Sequence, residues 1–159
     1  MRCAVLTIVP QEPTMLCLLA VMMIYAPTAD RHKHEAHEAL IVCQEVASRA
    51  RDAHVDPVLA VSVAYEETRF QRDLESPSGA VGPLQAMPLY WCPKVGECNE
   101  IDAGLRALRY FVTREKGDEL RALTAYAGAG PRAQRYGRRV HRRVKALRVA
   151  VELAECADD

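Results

Sequence analysis

From residue 36 onward the chain is patterned in helical periods. Ala36, Ala39/Leu40, Cys43, Val46/Ala47 and Ala50 recur three to four residues apart, the spacing that lines apolar side chains along one face of an α-helix. Arg49, Arg51 and Asp52 fall on or near its outer side. Asp56-Pro57 then reads as a fresh start, an acceptor at the N-cap followed by proline at the first helical position. That helix is predicted to run from Pro57 to about Phe70. Residues Ser76 to Gly82 are loop by composition, with Gly79 and Gly82 permitting a tight backbone path, and Leu84 to Leu89 read as a short turn. Ile101, Leu105, Leu108 and Phe111/Val112 mark a helix over Asn99 to Thr113. Gly117-Asp118 closes it and caps the next, which turns Leu120, Leu123 and Tyr126 inward and is broken by Gly128, Gly130 and Pro131. A last helix, from about Ala133 to Leu153, carries Tyr136, Val140, Val144, Leu147 and Val151 as its apolar set. No period-two alternation and no internal repeat appears. The pattern predicts an all-α domain of five to six short helices.

The amino-terminal region is of a different kind. Met15 to Ala26 is an uncharged apolar run of twelve residues, short of the roughly 20 that span a bilayer and suited to the apolar region of a secretory signal peptide. Arg2 is the only basic residue before it, Glu12 opposes that charge, and a cut after Ala29 has Pro27 two residues upstream. The organisation expected is a leader over residues 1–29 and a single domain over residues 30–159. The same run also suits a buried helix of the fold, and translation from Met15 would make residues 1–14 spurious. No small-residue lipobox precedes Cys17. Asp30 to Glu38 is polar, and His32, His34 and His37 there read as a solvated entry to the first helix rather than a metal site.

Composition adds limits. A chain of 159 residues fits one domain, and 50% apolar against 26% charged residues is enough for a core. At 6% aromatic, that core must be mostly Ala, Val and Leu. Lys+Arg and Asp+Glu are both 21, so net charge names no partner. The charge is local: Arg132, Arg135, Arg138, Arg139, Arg142, Arg143, Lys145 and Arg148 crowd the last helix with no acid between them. The plain reading is a solvated outer face, and the alternative is contact with anionic polymers or headgroups of the cell envelope; nucleic acid is not the partner expected of an exported chain. Of six cysteines, Cys43, Cys92, Cys98 and Cys156 would remain after a leader is removed, an even number that suits an oxidising compartment. Cys92 and Cys98 look like a loop staple, and Cys43 and Cys156 could tie the ends of the domain. One close pair is too few for a zinc site. With no phosphate loop, no His-Glu-x-x-His and no nucleophile elbow, no metal or organic cofactor is implied.

The chemistry concentrates at Glu67. It lies one turn beyond Val63 and Ala64 and two beyond Ala60, an apolar column that puts it at the edge of the core, while Glu66 sits over Ser62 and Val63 in a wetter one. A partly buried carboxyl can stay protonated near neutral pH and serve as a general acid. After it come Glu67-Thr68-Arg69-Phe70, then Ser76-Pro77-Ser78-Gly79-Ala80-Val81-Gly82-Pro83-Leu84-Gln85-Ala86-Met87-Pro88, and later Ala125-Tyr126-Ala127-Gly128-Ala129-Gly130. In order and spacing, from Asp56 to His141, this resembles the soluble lytic transglycosylases, relatives of goose-type lysozyme that cut peptidoglycan glycan strands.

The resemblance implies a lysozyme-like domain in which Glu67 is the catalytic acid. It implies that Ser76, nine residues on, binds the sugar and polarises its N-acetyl group, that Gln85 binds substrate and that Met87 lines the cleft. Tyr126 is implied to approach Glu67. The Asn that follows this Tyr in the family is absent here, replaced by Ala127 or deleted. The implied reaction cleaves the β-1,4 bond between N-acetylmuramic acid and N-acetylglucosamine and leaves a 1,6-anhydromuramoyl product. It implies an exported monomer in the periplasm or cell envelope, acting alone on glycan strands or beside a secretion, conjugation or phage machine. The alternatives are a goose-type lysozyme, which uses water instead, and a non-catalytic glycan-binding or scaffold protein of the same fold, which the missing Asn favours.

Overall fold

The computed structural model describes residues 13–25, 33–94 and 96–157. Residues 1–12 and 26–29 of the expected leader, with Cys3 and the cut at Ala29, lie outside the described residues, as does His32. Among the described residues there are seven helices and no strand: α1 (Pro13–Tyr25), α2 (Lys33–Asp52), α3 (Pro57–Thr68), α4 (Pro88–Trp91), α5 (Glu100–Arg114), α6 (Glu119–Tyr126) and α7 (Gly130–Ala157). Extended pairing is limited to isolated bridges, Glu75 with Val81 and Val81 with Ala86. The chain is all-α, as its periodicity requires.

The helix starts follow from side-chain capping. The Asp56 carboxylate accepts the Val58 N–H at 2.8 Å, the Asn99 side chain accepts the Ile101 N–H at 2.8 Å, and the Asp118 carboxylate accepts the Arg121 N–H at 3.0 Å. Each satisfies an amide that the first turn leaves without a partner. Helix α3 ends in two successive left-handed residues, Arg69 (φ 52°) and Phe70 (φ 66°). That reversal swings Phe70 back into the core, where it is 2% exposed. Helix α7 is not short: it takes 28 residues and buries Val140, Val144, Leu147 and Val151. On α6, Leu123 is buried as its period predicts, but Leu120 is partly exposed.

At the centre of the core stands α3, whose residues Val58 to Ala64 are all buried. It packs against α2, α7 and α1. Helix α1 also packs into that core. Leu16, Cys17, Ala20 and Val21 are buried, and Cys17 is disulfide-bonded to Cys43 of α2 across a Cα–Cα distance of 5.6 Å. The pairing of Cys43 with Cys156 is therefore corrected. Both Cys17 and Cys43 are fully buried where α1 lies on α2, whereas Cys156 is exposed near the end of α7. Cys156 is itself disulfide-bonded, though not to Cys43. Cys92 and Cys98 pair with each other and close the loop behind α4. No helix among the described residues is long and apolar enough to cross a membrane.

Candidate active site

The last turn of α3 carries two glutamates whose surroundings push them apart. Glu67 is half-buried, and its Oε1 accepts a hydrogen bond from the Tyr136 hydroxyl of α7 at 2.6 Å. Burial raises its pKa above the ordinary carboxyl value; the Tyr136 hydrogen bond pulls it back and the neighbouring Glu66 charge pushes it up again, leaving it raised. For Glu66, burial alone would act in the same direction. There it is outweighed by Arg139 Nε and Arg143 Nη1, each 2.7 Å from a carboxylate oxygen, which hold Glu66 below the usual range. The Arg143 guanidinium also lies 3.8 Å over the Tyr65 ring. Adjacent carboxyls set to opposite protonation preferences are the arrangement that separates an acid from a fixed charge.

The loop after α3 is held from several sides. The Thr68 hydroxyl, at the end of α3, lies 3.1 Å from the Pro83 carbonyl and 3.3 Å from Ala64 O, so it can bridge helix and loop. The Tyr126 hydroxyl of α6 donates to the Leu84 carbonyl at 2.5 Å. Leu84 itself is buried against α5 at Gly104, where a Cβ would collide with the Leu84 side chain. Within the loop, Ser76 Oγ accepts the Ala80 N–H at 3.0 Å and lies 2.9 Å from Ser78 Oγ. Gln85, in a left-handed conformation at φ 48°, donates its amide N–H groups to the carbonyls of Leu74 (2.7 Å) and Gly82 (3.0 Å). Met87 occupies the N-cap position of the short α4 without a side-chain cap, and the Trp91 ring sits 5.4 Å from Tyr110 and 5.9 Å from Phe111, joining α4 to α5.

The sequence-derived residues are thus only partly convergent. Ser76, Gln85 and Met87 belong to one braced loop, but none hydrogen-bonds Glu67. The Tyr126 hydroxyl donates to the Leu84 carbonyl rather than to Glu67, though it lies close enough for the Glu67 charge to act on it. Burial, and then the Glu67 charge, raise the Tyr126 pKa and keep it neutral. Tyr136 is the residue that contacts the acid, and the periodicity had placed it simply in the apolar stripe of α7. The signal available was its polar tip: a Tyr among Val and Leu on a buried face needs a partner for its hydroxyl. Burial and the Glu67 charge also raise the Tyr136 pKa well above its ordinary value, so it stays a donor.

The basic helix is likewise not one solvated face. Arg139 and Arg143 grip Glu66, and Arg148 bridges Asp56 and Glu119 at 2.5 Å each. Comparison with known proteins finds no family model, no curated protein and no solved structure that matches this chain.

Proposed function

We propose that this chain is an exported peptidoglycan lytic transglycosylase of lysozyme-like fold, with Glu67 as its acid. The observation that carries the reading is the Glu67–Tyr136 pair: a half-buried carboxyl, shifted toward its protonated form, oriented by one neutral donor at 2.6 Å. Glu66 next to it is already neutralised by two arginines. Most glycosidases need two carboxyls, one to protonate the leaving oxygen and one to attack or to activate water. Lytic transglycosylases need one, which suits a site built around a single free acid.

In the reaction so read, Glu67 gives its proton to the bridging oxygen as the C1–O bond of the muramoyl residue breaks. The 6-hydroxyl oxygen of the same sugar bonds to C1, and its proton returns to the Glu67 carboxylate. One intersugar glycosidic bond is exchanged for an intramolecular one between C1 and O6, no water is consumed and the enzyme ends protonated as it began. Tyr136 holds the carboxyl in place without adding a positive charge that would depress its pKa further. Ser76, Gln85 and Met87 lie on the loop that would wall the sugar site. The Cys17–Cys43 and Cys92–Cys98 disulfides are compatible with an oxidising compartment, and the periplasm is the one proposed. Digestion of purified sacculi tests the reading: wild type should release soluble muropeptides and Glu67→Gln, folded but unable to donate and recover the proton, should release none.

A further inference from the structure

Beside Tyr136, on the side of α7 that carries the first turns of the helix, lies a cavity of about 430 Å³ lined by Ala127, Arg132, Ala133, Arg135, Tyr136 and Arg139. We propose that this cavity is a carboxylate subsite that takes the acidic substituent of a muramoyl residue while the strand lies across Glu67. The inference rests on the glycan reading above and adds to it the part of the substrate that this chain recognises by charge.

Four observations support it. First, the cavity adjoins the acid through a shared residue, since Tyr136 lines it and also bonds Glu67. Second, three of its six lining residues are arginines and none is acidic. Third, two of those three guanidinium groups are unpaired among the described residues. Among the described residues, exposed Arg132 and Arg135 make no ion pair or side-chain hydrogen bond, and Arg139 engages Glu66 through Nε alone. Like charges gathered around a concave surface raise its potential and draw an anion to it, and the planar guanidinium fork matches a carboxylate. Fourth, Ala127 and Ala133 fill little of the space, leaving room for a substituent rather than a bare ion. The other arginines and the lysine of α7 do not share this setting: Arg143 and Arg148 are paired, and Arg138, Arg142 and Lys145 do not line the cavity. On a peptidoglycan strand the sugars themselves are uncharged. Carboxylates occur on the muramoyl substituents, either on the peptide stem or on the lactyl group once the stem is removed.

The test is a set of binding titrations in the Glu67→Gln background, which leaves the strand uncut, comparing Arg132 and Arg135 intact with Arg132→Ala/Arg135→Ala. The probes are a stem-bearing glycan fragment, the same fragment stripped by an amidase to its lactyl carboxylates, and a carboxylate-free N-acetylglucosamine oligomer of equal length. The expected result is a loss of about tenfold in affinity for the stem-bearing fragment, as for the loss of one charge-assisted hydrogen-bonded contact, with less than about twofold change for the oligomer. An equal loss on the stripped fragment assigns the lactyl carboxylate; no loss there assigns the stem. Equal loss on all three probes, or none on any, overturns the subsite while leaving the glycan reading in place. If the intact-arginine protein binds none of the three, the glycan reading itself fails and the subsite with it. Matching thermal midpoints for the two proteins ensure that a loss reports the cavity and not unfolding.

Discussion

At the residue scale the site turns on how one carboxyl is held. Glu67 is raised by burial, and the Tyr136 hydroxyl opposes that rise. Tyr136→Phe removes a donor that favours the carboxylate, so the pKa of Glu67 should climb further. The alkaline limb of the activity profile should then move to higher pH, with lower turnover at its plateau because the acid is less well aimed. A profile unmoved in pH would mean that the two side chains do not meet in solution. The same burial has a cost in stability. A carboxyl whose folded pKa is raised contributes its stability below the unfolded pKa of about 4.3, and that contribution is lost as pH rises through the folded value. Glu67→Gln should therefore denature at a higher temperature than wild type near neutral pH, and the difference should vanish below the unfolded pKa; melting curves across pH would record it. Sequence singles out Glu67 but not the group that holds it. The apolar column under Glu67 was visible in the helical period, whereas the Tyr136 contact joins residues 69 positions apart, a distance over which periodicity carries no information. Tyr126, favoured by motif position, proved to be committed to Leu84.

At the element scale, α3 and the loop behind it depend on neighbours that touch no substrate. Leu84 is the hinge of that dependence, since its side chain fills the space above Gly104 of α5 and its carbonyl accepts from Tyr126 of α6. Gly104→Ala would force a methyl into Leu84 and displace the loop, with an expected loss of about 1–3 kcal/mol, as for overpacking in a close-packed core. It should also reduce turnover, because the loop that carries Gln85 would shift. Denaturant titration beside a sacculus assay checks both effects, and a variant as stable as wild type would show that the helix–loop contact is loose. Five of the helices after residue 30 were legible from apolar period and caps: Asp56, Asn99 and Asp118 sit where a side-chain acceptor is wanted, and each accepts the amide it should. The short α4 overlaps only the end of the turn read over Leu84 to Leu89, because four residues are too few for a period. The reach of α7 past Leu153 has no sequence signal, since its final turn carries no apolar stripe to announce it.

At the scale of the whole molecule, the apolar run near the amino terminus decides how the core is closed. Its composition suits a leader and also a helix buried on the rest, and in the structure Leu16, Cys17, Ala20 and Val21 are buried against the body. Cys17 and Cys43 close a loop with a separation of 26 residues, which stabilises by about 3 kcal/mol through restriction of the unfolded chain. Replacing both with Ala should lower the unfolding free energy of the oxidised protein by that order, seen as a lower midpoint in denaturant titration. A midpoint that does not move would mean that α1 does not stay docked on α2. What the whole molecule does is tested most directly by its products. Mass spectrometry of muropeptides released from purified sacculi by wild type should give fragments ending in a 1,6-anhydromuramoyl residue, each lighter by one water than the hydrolytic equivalent, and Glu67→Gln should give none. Fragments with an ordinary reducing end would identify a hydrolase, and no release by wild type would contradict the enzymatic account altogether.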